Sequence, residues 1–259
     1  MIFRALLLAT AFLAPLPALA ADLAVKVPAP PPPVFSWTGF YIGTNAGYAW
    51  SDGGYSFKAT DGGSGGFGGA LVAGAFPATG VSQGDGFTIG GQVGFNYQTG
   101  RTVFGVEADL NWLDYGTRTA FTYTDLPSYV PFATVTRRSM DYFGTVRARA
   151  GFTPVERLLA YVTAGVAFGN PSASFTINAP EGRPPLAMAD SDEAKLGYAL
   201  GAGAEYAFTD HWTLKTEYLY YDFGDARTSA SYDYGVSSSL TGVAATAGSI
   251  LRGGVNYKF

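Results

Sequence analysis

The chain ends with Leu251-Arg252-Gly253-Gly254-Val255-Asn256-Tyr257-Lys258-Phe259, a stretch in which apolar and polar side chains alternate. The odd-numbered positions carry the large apolar side chains, and the even-numbered positions carry Arg252, Asn256 and Lys258. Successive side chains of a β-strand point to opposite faces, so this pattern predicts a strand with one apolar and one polar face. The aromatic residues Tyr257 and Phe259 complete the apolar face.

The first 20 residues have the features of a secretory signal peptide. Arg4 is followed by the apolar stretch 5–14, and Ala18-Leu19-Ala20 forms a small-residue cleavage site. The apolar stretch is shorter than the roughly 20 residues of a membrane-spanning helix, and Pro15 and Pro17 would break a buried helix. We therefore expect residues 1–20 to be removed on export.

Residues 21–36 are rich in proline, with Pro28 and the run from Pro30 to Pro33. Proline holds the backbone in an extended, polyproline-like form, so this segment predicts a stiff linker. It can serve as a spacer or as a docking segment, and the spacer is the simpler interpretation. The remaining residues, 37–259, suit one domain rather than two globular ones.

The composition excludes several classes of protein. Since the chain has no cysteine, it has neither disulfides nor a lipid-bearing cysteine after the cleavage site. The formal net charge of −4 argues against nucleic acid as a partner, because that ligand requires a basic face. The 35 glycines and the 15% of aromatic residues fit a β-rich chain with many turns.

Eight segments of the chain, including the last one, alternate in this way. They are residues 40–48, 87–98, 104–112, 141–152, 160–168, 196–208, 212–220 and 251–259. Their apolar faces carry no charged residue, and many have an aromatic residue near each end, such as Phe40 and Tyr48 or Phe104 and Trp112. Segments of roughly 9–13 residues with aromatic ends suit tilted strands that cross a bilayer. We therefore expect the apolar faces to contact lipid and the polar faces to line a narrow interior.

Short and long connections alternate between these segments. The short ones are residues 99–101, 153–157 and 209–211, and the long ones are 51–85, 113–138, 170–194 and 224–245. Short turns at one end and long loops at the other are typical of outer-membrane barrels. The sequence thus predicts an all-β fold, an eight-stranded antiparallel transmembrane β-barrel of the bacterial outer membrane. Both termini and the linker are expected in the periplasm, and the long loops outside the cell. We expect mobile loops, and no single shape for the glycine-rich stretch 62–69.

Charged side chains on the polar faces are expected inside the barrel. They are Glu107, Asp109, Arg147, Arg149, Glu205, Lys215, Glu217, Arg252 and Lys258. Glu107 and Asp109 are predicted to lie beside the two arginines of the next strand, and Glu205 beside Lys215 and Glu217. Because buried charges need partners and the two signs nearly balance, a salt-bridge network is the preferred interpretation. The alternative is an ion-selective pore lining, but an eight-stranded barrel is narrow enough to be filled by its own side chains.

Catalysis has little support in the sequence. His211, the single histidine, falls in a short turn and has no serine nucleophile beside it. Glu107 and Asp109 could exchange protons, but a sealed interior would keep substrates away from them. The sequence has no cysteine or histidine cluster for zinc, and the glycine-rich loop lacks the ending of a phosphate-binding loop. We expect no enzyme activity, no metal and no cofactor.

Four stretches resemble the outer membrane immunogenic protein family of alphaproteobacteria, the RopB-type surface antigens. They are Trp37-Thr38-Gly39-Phe40-Tyr41-Ile42-Gly43, residues 144–152, residues 212–220 and the closing residues 252–259. The resemblance implies an abundant surface protein with roles in envelope integrity and host interaction, in a family often described as porin-like. We expect an envelope protein that displays four long loops, with a channel for small solutes or ions as the alternative.

The expected partners follow from this hypothesis. They are outer-membrane lipid and lipopolysaccharide, host or surface ligands that bind the loops, and the barrel assembly machinery. We expect that machinery to recognise Tyr257 and Phe259 as the assembly signal.

Overall fold

The computed structural model describes residues 34–60, 66–72, 74, 77–123, 132–178, 187–192, 194–233 and 237–259. The predicted signal peptide, residues 1–20, and residues 21–33 of the predicted linker lie outside the described residues. The elements are β1 Gly39–Ala59, α1 Gly66–Val72, β2 Thr79–Thr99, β3 Thr102–Tyr123, β4 Phe132–Val155, β5 Leu158–Gly169, β6 Ser172–Asn178, β7 Ala187–Asp192, β8 Lys195–Ala207, β9 Trp212–Asp233 and β10 Ser237–Lys258.

The strands close into a ring. Antiparallel pairing joins β1 to β2, β2 to β3, β3 to β4, β4 to β5, β5 to β8, β8 to β9, β9 to β10 and β10 back to β1. The short strands β6 and β7 prolong β5 and β8, because β4 pairs with β5 up to Gly169 and with β6 from Ser172. The predicted eight-stranded antiparallel barrel is confirmed. Its closure removes the free edges that an open sheet would expose.

The two ends of the barrel differ. One end, called the turn end below, carries the C-terminus and the short connections at residues 100–101, 156–157 and 208–211. The other, called the loop end, carries the connections from β1 to β2, β3 to β4, β6 to β7 and β9 to β10.

The barrel wall is apolar outside and polar inside. On β4, Val146 exposes 57% of its surface, whereas the next residue, Arg147, exposes 1%. Large outward-facing side chains form a belt around the ring: Phe40, Ile42, Tyr48, Phe87, Val93, Tyr97, Phe104, Leu110, Trp112, Val162, Val166, Leu200, Tyr206, Leu214, Tyr218 and Leu251. The predicted facing of the strands is therefore confirmed. Such an apolar belt is the surface that the hydrocarbon core of a bilayer requires.

The strands are longer than the apolar alternation indicates. β1 continues to Ala59, for example, and β2 already begins at Thr79. This finding corrects the loop prediction over much of residues 51–85, 113–138, 170–194 and 224–245. Beyond the belt the outer face no longer needs to be apolar, so backbone pairing continues although the alternation of the sequence disappears.

A short helix lies at the loop end. The prediction of no single shape for residues 62–69 is wrong from Gly66 onward, where α1 begins, and residues 62–65 lie outside the described residues. Phe67, Ala70 and Leu71 have the i, i+3, i+4 spacing of one helix face. They pack with apolar residues of the wall, namely Phe57, Ala59, Phe175, Ile177, Ala230 and Leu240. This packing offsets the low helix propensity of glycine.

Within the described ranges, no helix is long and apolar enough to cross a membrane.

The β2–β3 turn depends on one glycine. Thr99 pairs with Thr102, so the turn has two central residues, and Gly100 adopts a φ of 60°. An L-residue with a Cβ is strained in this left-handed region, so we expect Gly100→Ala to lower the free energy of unfolding by about 1–2 kcal/mol. Urea unfolding in lipid vesicles measures this loss. Arg101→Ala is the control and should change little; equal stability of both variants would contradict the assignment of the turn.

Candidate functional site

The interior of the barrel is the candidate functional site, and side chains fill it in layers. The turn-end cluster consists of Phe35, Trp37, Val103, Leu159, Tyr161 and Ala207. The middle apolar layer consists of Ala49, Leu113, Tyr115, Met140, Phe143, Ala167, Ala199, Leu219, Tyr221, Phe223 and Ile250. A charged layer lies between them, as the inward residues of β9 show in their order: Lys215 and Glu217, then Leu219 and Tyr221. The cluster around α1 lies beyond the middle layer, at the loop end.

Strand register brings the charges of the network together. Glu107 of β3 lies opposite Arg147 of β4, and Arg252 of β10 lies opposite Glu217 of β9. All four side chains occupy inward positions, so each acid lies beside a base of the adjacent strand. The local alternation of the sequence therefore determines which residues enter the interior, and the register determines which of them are neighbours.

Arg147 lies at the centre of the charged layer. One of its terminal nitrogens, Nη2, lies 2.6 Å from Glu107 Oε1 and 3.0 Å from Asp109 Oδ2, and Nη1 lies 3.0 Å from Glu217 Oε1. Arg252 binds two of the same acids, with Nη1 3.1 Å from Asp109 Oδ1 and Nη2 2.6 Å from Glu217 Oε2. Two guanidinium groups thus connect three carboxylates across the barrel interior.

Lys215 and Glu205 are neighbours, as the sequence predicts, but they form no ion pair with each other. Lys215 Nζ reaches across the interior to Glu107 Oε1 at 2.9 Å, although Glu205 lies opposite it in the β8–β9 register. Glu205 binds Arg149 instead, with Nη2 to Oε2 at 2.9 Å. The layer therefore contains four acidic and four basic side chains that are all buried, and it carries no net charge.

Neutral polar groups complete the network. Tyr41 donates to Glu107 Oε2 at 2.7 Å, and its oxygen accepts from Arg149 Nη1 at 2.9 Å. Thr145 donates to Asp109, and Thr213 and Asn256 donate to Glu205. Carboxylates bound by several donors are fixed in position. The arrangement is suited to holding strands together from the inside.

The centre of the charged layer is fully buried. The side chains of Arg147 and Asp109 have no solvent-accessible surface, although both lie in the middle of the barrel. A water-filled channel would leave part of their surface accessible. This packing agrees with the narrow interior that is expected of an eight-stranded barrel.

The turn-end cluster includes residues that the sequence alone did not assign to the barrel interior. Phe35 falls in the predicted linker 21–36, yet it is buried and packs edge-to-face on Trp37 with a centroid distance of 5.1 Å. The Trp37 indole donates to the carbonyl of Glu156 at 3.1 Å, and its backbone N–H donates to Gln98 Oε1 at 2.7 Å. The alternation Phe35-Ser36-Trp37, which follows the prolines directly, is the signal that could have revealed this.

Lys258 and the terminal aromatic residues lie outside the charged layer. Lys258 Nζ donates to the carbonyl of Ser36 at 2.7 Å, so the expectation that it points into the interior network is wrong. Tyr257 lies 5.1 Å from Trp212 and 5.2 Å from Phe259, measured between ring centroids. The exposed His211 stacks on Tyr257 at the turn end. Lys258 follows Arg252 by six residues on β10, about 20 Å along the strand, so it lies at the turn-end rim, with Nζ 5.1 Å from the centre of the Phe35 ring.

The family model and the curated relatives agree with this architecture. Residues 6–259 match the family model described as outer membrane protein beta-barrel domain. The 31 kDa outer-membrane immunogenic protein of Brucella melitensis is 37% identical over 248 residues, which cover 93% of each chain. The 22 kDa outer membrane protein of Rhizobium leguminosarum bv. viciae is 29% identical over 75% of this chain and 68% of its own. Among solved structures, the outer membrane protein OprG from Pseudomonas aeruginosa covers 86% of this chain and 96% of its own, with 15% identity and a TM-score of 0.42.

Proposed function

Because the chain belongs to the outer membrane protein β-barrel family, we propose that it is a closed barrel that stabilises the outer membrane and displays its loop end to the outside. The filled interior carries this proposal. Opposite charges on five strands bind one another through the centre, and apolar clusters lie on both sides of them. Such a barrel acts through its outer wall and its ends rather than through its lumen.

A conductance measurement tests whether the lumen conducts. We expect the full protein, refolded in a planar bilayer, to give no stable channel, because the charged layer leaves no path for hydrated ions. A gel shift on heating first confirms that the sample is folded. A steady, ion-selective conductance that changes in Arg147→Ala would instead establish the alternative, a porin-like channel for small solutes or ions.

The orientation in the membrane is the second part of the proposal. The turn end lies in the periplasm and the loop end outside the cell, since barrels of this kind have short periplasmic turns. Because the chain has no cysteine, one introduced cysteine reports its own accessibility. A membrane-impermeant maleimide should label Ser229→Cys of the loop end in intact cells, but not Glu156→Cys of the turn end. The reverse pattern would refute the orientation.

The proposed partners follow from this placement. The apolar belt contacts outer-membrane lipid, and lipopolysaccharide surrounds the wall on its outer side. Tyr257 and Phe259 form the signal that the assembly machinery reads, which fits two aromatic side chains at the end of the closing strand, Tyr257 half-buried and Phe259 exposed. Host or surface ligands bind the loops; the relatives named immunogenic outer-membrane proteins support surface display.

A further inference from the structure

Two arginines face each other on the outer wall near the loop end. Arg118 of β3 and Arg137 of β4 are directly opposite in the antiparallel register, and both are exposed. Directly opposite residues place their Cβ atoms about 5 Å apart, and like charges in such a pair destabilise a sheet. The repulsion disappears when an anion binds between the two guanidinium groups.

Few acidic groups lie close enough to these two arginines to neutralise their charge. Neither forms an ion pair within the part of the chain that the structure describes. The exposed acids Asp114 and Asp141 are each four residues away along the same strands, about 13 Å at the rise of a strand. Ser174 of β6 follows Arg137 in the same row of the sheet, and Asp190 of β7 comes next, opposite Ser174. Two guanidinium groups and a hydroxyl therefore stand side by side on β3, β4 and β6, and the acid of this row is two strands away from Arg137.

The height of this row above the apolar belt restricts the source of the anion. Trp112, an outward aromatic residue of the belt on β3, precedes Arg118 by six residues. That is about 20 Å along the strand, or about 15 Å in height for a strand tilted by about 40°. The head-group layer of a phospholipid is only about 5–8 Å thick on each side of a bilayer. A lipid that reaches the arginines must have a much taller head group, such as a chain of acidic sugars.

We propose that Arg118, Arg137 and Ser174 form a binding site for the acidic sugar head group of a glycolipid in the surrounding leaflet. The planar guanidinium group binds phosphate and carboxylate oxygens in a bidentate manner, and two of them at this spacing can clamp one anionic group. The site lies on the outside of the wall, on the strands that carry the belt, so a lipid packed against the belt reaches it directly. The proposal rests on the proposed function, because it places the loop end in a leaflet that contains such a lipid.

Binding of a purified lipooligosaccharide tests the site. The full protein in phosphatidylcholine nanodiscs is titrated with fluorescently labelled lipooligosaccharide, and wild type is compared with Arg118→Gln/Arg137→Gln. We expect the double variant to bind at least about tenfold more weakly, since two charge-assisted contacts are lost. Arg227→Gln is the matched control, because Arg227 is an exposed arginine of β9 that lies opposite Val243. It should retain wild-type affinity.

Competition measurements identify the ligand, and they test this proposal independently of the proposed orientation of the barrel in the membrane. Phosphatidylglycerol and a neutral glycolipid should fail to compete, because the first is too short and the second has no charge. Equal affinity of the double variant and wild type, or equal losses in the double variant and Arg227→Gln, would overturn the proposal. Displacement by heparin at the same concentration as by unlabelled lipooligosaccharide would assign the site to soluble polyanions instead. Nanodiscs expose both ends of the barrel, so lipooligosaccharide binding does not depend on the orientation in the cell. The labelling pattern can therefore contradict the orientation while binding is retained, and binding can be absent while the labelling pattern is as expected.

Discussion

Glu217→Gln is expected to lower the free energy of unfolding by about 3–5 kcal/mol, the usual cost of leaving a buried charge without its partner. Glu217 binds Arg147 at 3.0 Å and Arg252 at 2.6 Å, and it accepts a hydrogen bond from Tyr161 at 3.0 Å. Glutamine has almost the same shape, so the loss comes from charge rather than from packing. Two guanidinium groups then share the remaining carboxylates in an interior that excludes water.

Urea unfolding in lipid vesicles, followed by tryptophan fluorescence, measures this effect. Asp210→Asn is the matched control, because Asp210 also binds an arginine at 2.6 Å, that of Arg157, but both partners are exposed. Exposed pairs contribute at most about 1 kcal/mol, so this variant should remain close to wild type. Similar losses in both variants would show that the interior network does not behave as a buried one. Glu217→Gln combined with Arg252→Gln restores the charge balance and should recover part of the stability.

The strand pattern could be predicted because lipid imposes a simple rule on each position. A strand that crosses a bilayer must carry apolar residues on its outer face. The sequence alone therefore predicts that Val146 faces outward and that Arg147 faces inward, as the structure shows. The same rule predicts which charges enter the interior. This rule does not apply beyond the bilayer. The extensions of β1 and β2 past the belt, around Ala59 and Thr79, therefore show no apolar alternation with a period of two.

Partner choice inside the barrel could not be predicted from the sequence. Register makes Glu205 and Lys215 neighbours, yet the long lysine side chain spans the interior to Glu107. Which acid a flexible cation reaches depends on the width of the barrel and on the donors that already occupy each carboxylate. Glu205 already accepts hydrogen bonds from Thr213, Asn256 and Arg149, so its oxygens are occupied. These are three-dimensional facts that a linear pattern does not contain.

The apolar layers were missed for a related reason. Leu219, Tyr221 and Phe223 continue the inward phase of Lys215 and Glu217 on β9, but their polarity changes along the strand. A rule that assigns polar residues to the interior therefore fails at this height. Apolar side chains can fill the inside of the barrel wherever the wall is closed, because no water has to be accommodated there. The change from charged to apolar along one inward face is consistent with a filled lumen.

Val146→Arg on the lipid face is expected to lower the free energy of unfolding from lipid by about 2–4 kcal/mol. Val146 lies between the aromatic residues Tyr142 and Phe152 on β4, so its side chain is near the middle of the apolar belt. An arginine there must either remain in hydrocarbon or bend toward a distant interface. Val162→Arg on β5 should behave in the same way, because Val162 also faces outward on the belt.

Val155→Arg provides the control for this prediction. Val155 is the last residue of β4, at the turn end, and it exposes 60% of its surface, almost the same as the 57% of Val146. Since exposure and residue type are matched, the two variants differ mainly in depth. The cost at an interface is only about 0–1 kcal/mol, so Val155→Arg should fold in vesicles with nearly wild-type stability. In detergent micelles, which deform easily around a charge, Val146→Arg should also fold. Equal folding yields of Val146→Arg in micelles and in vesicles would contradict the facing of β4, because the penalty arises from the bilayer and not from the barrel.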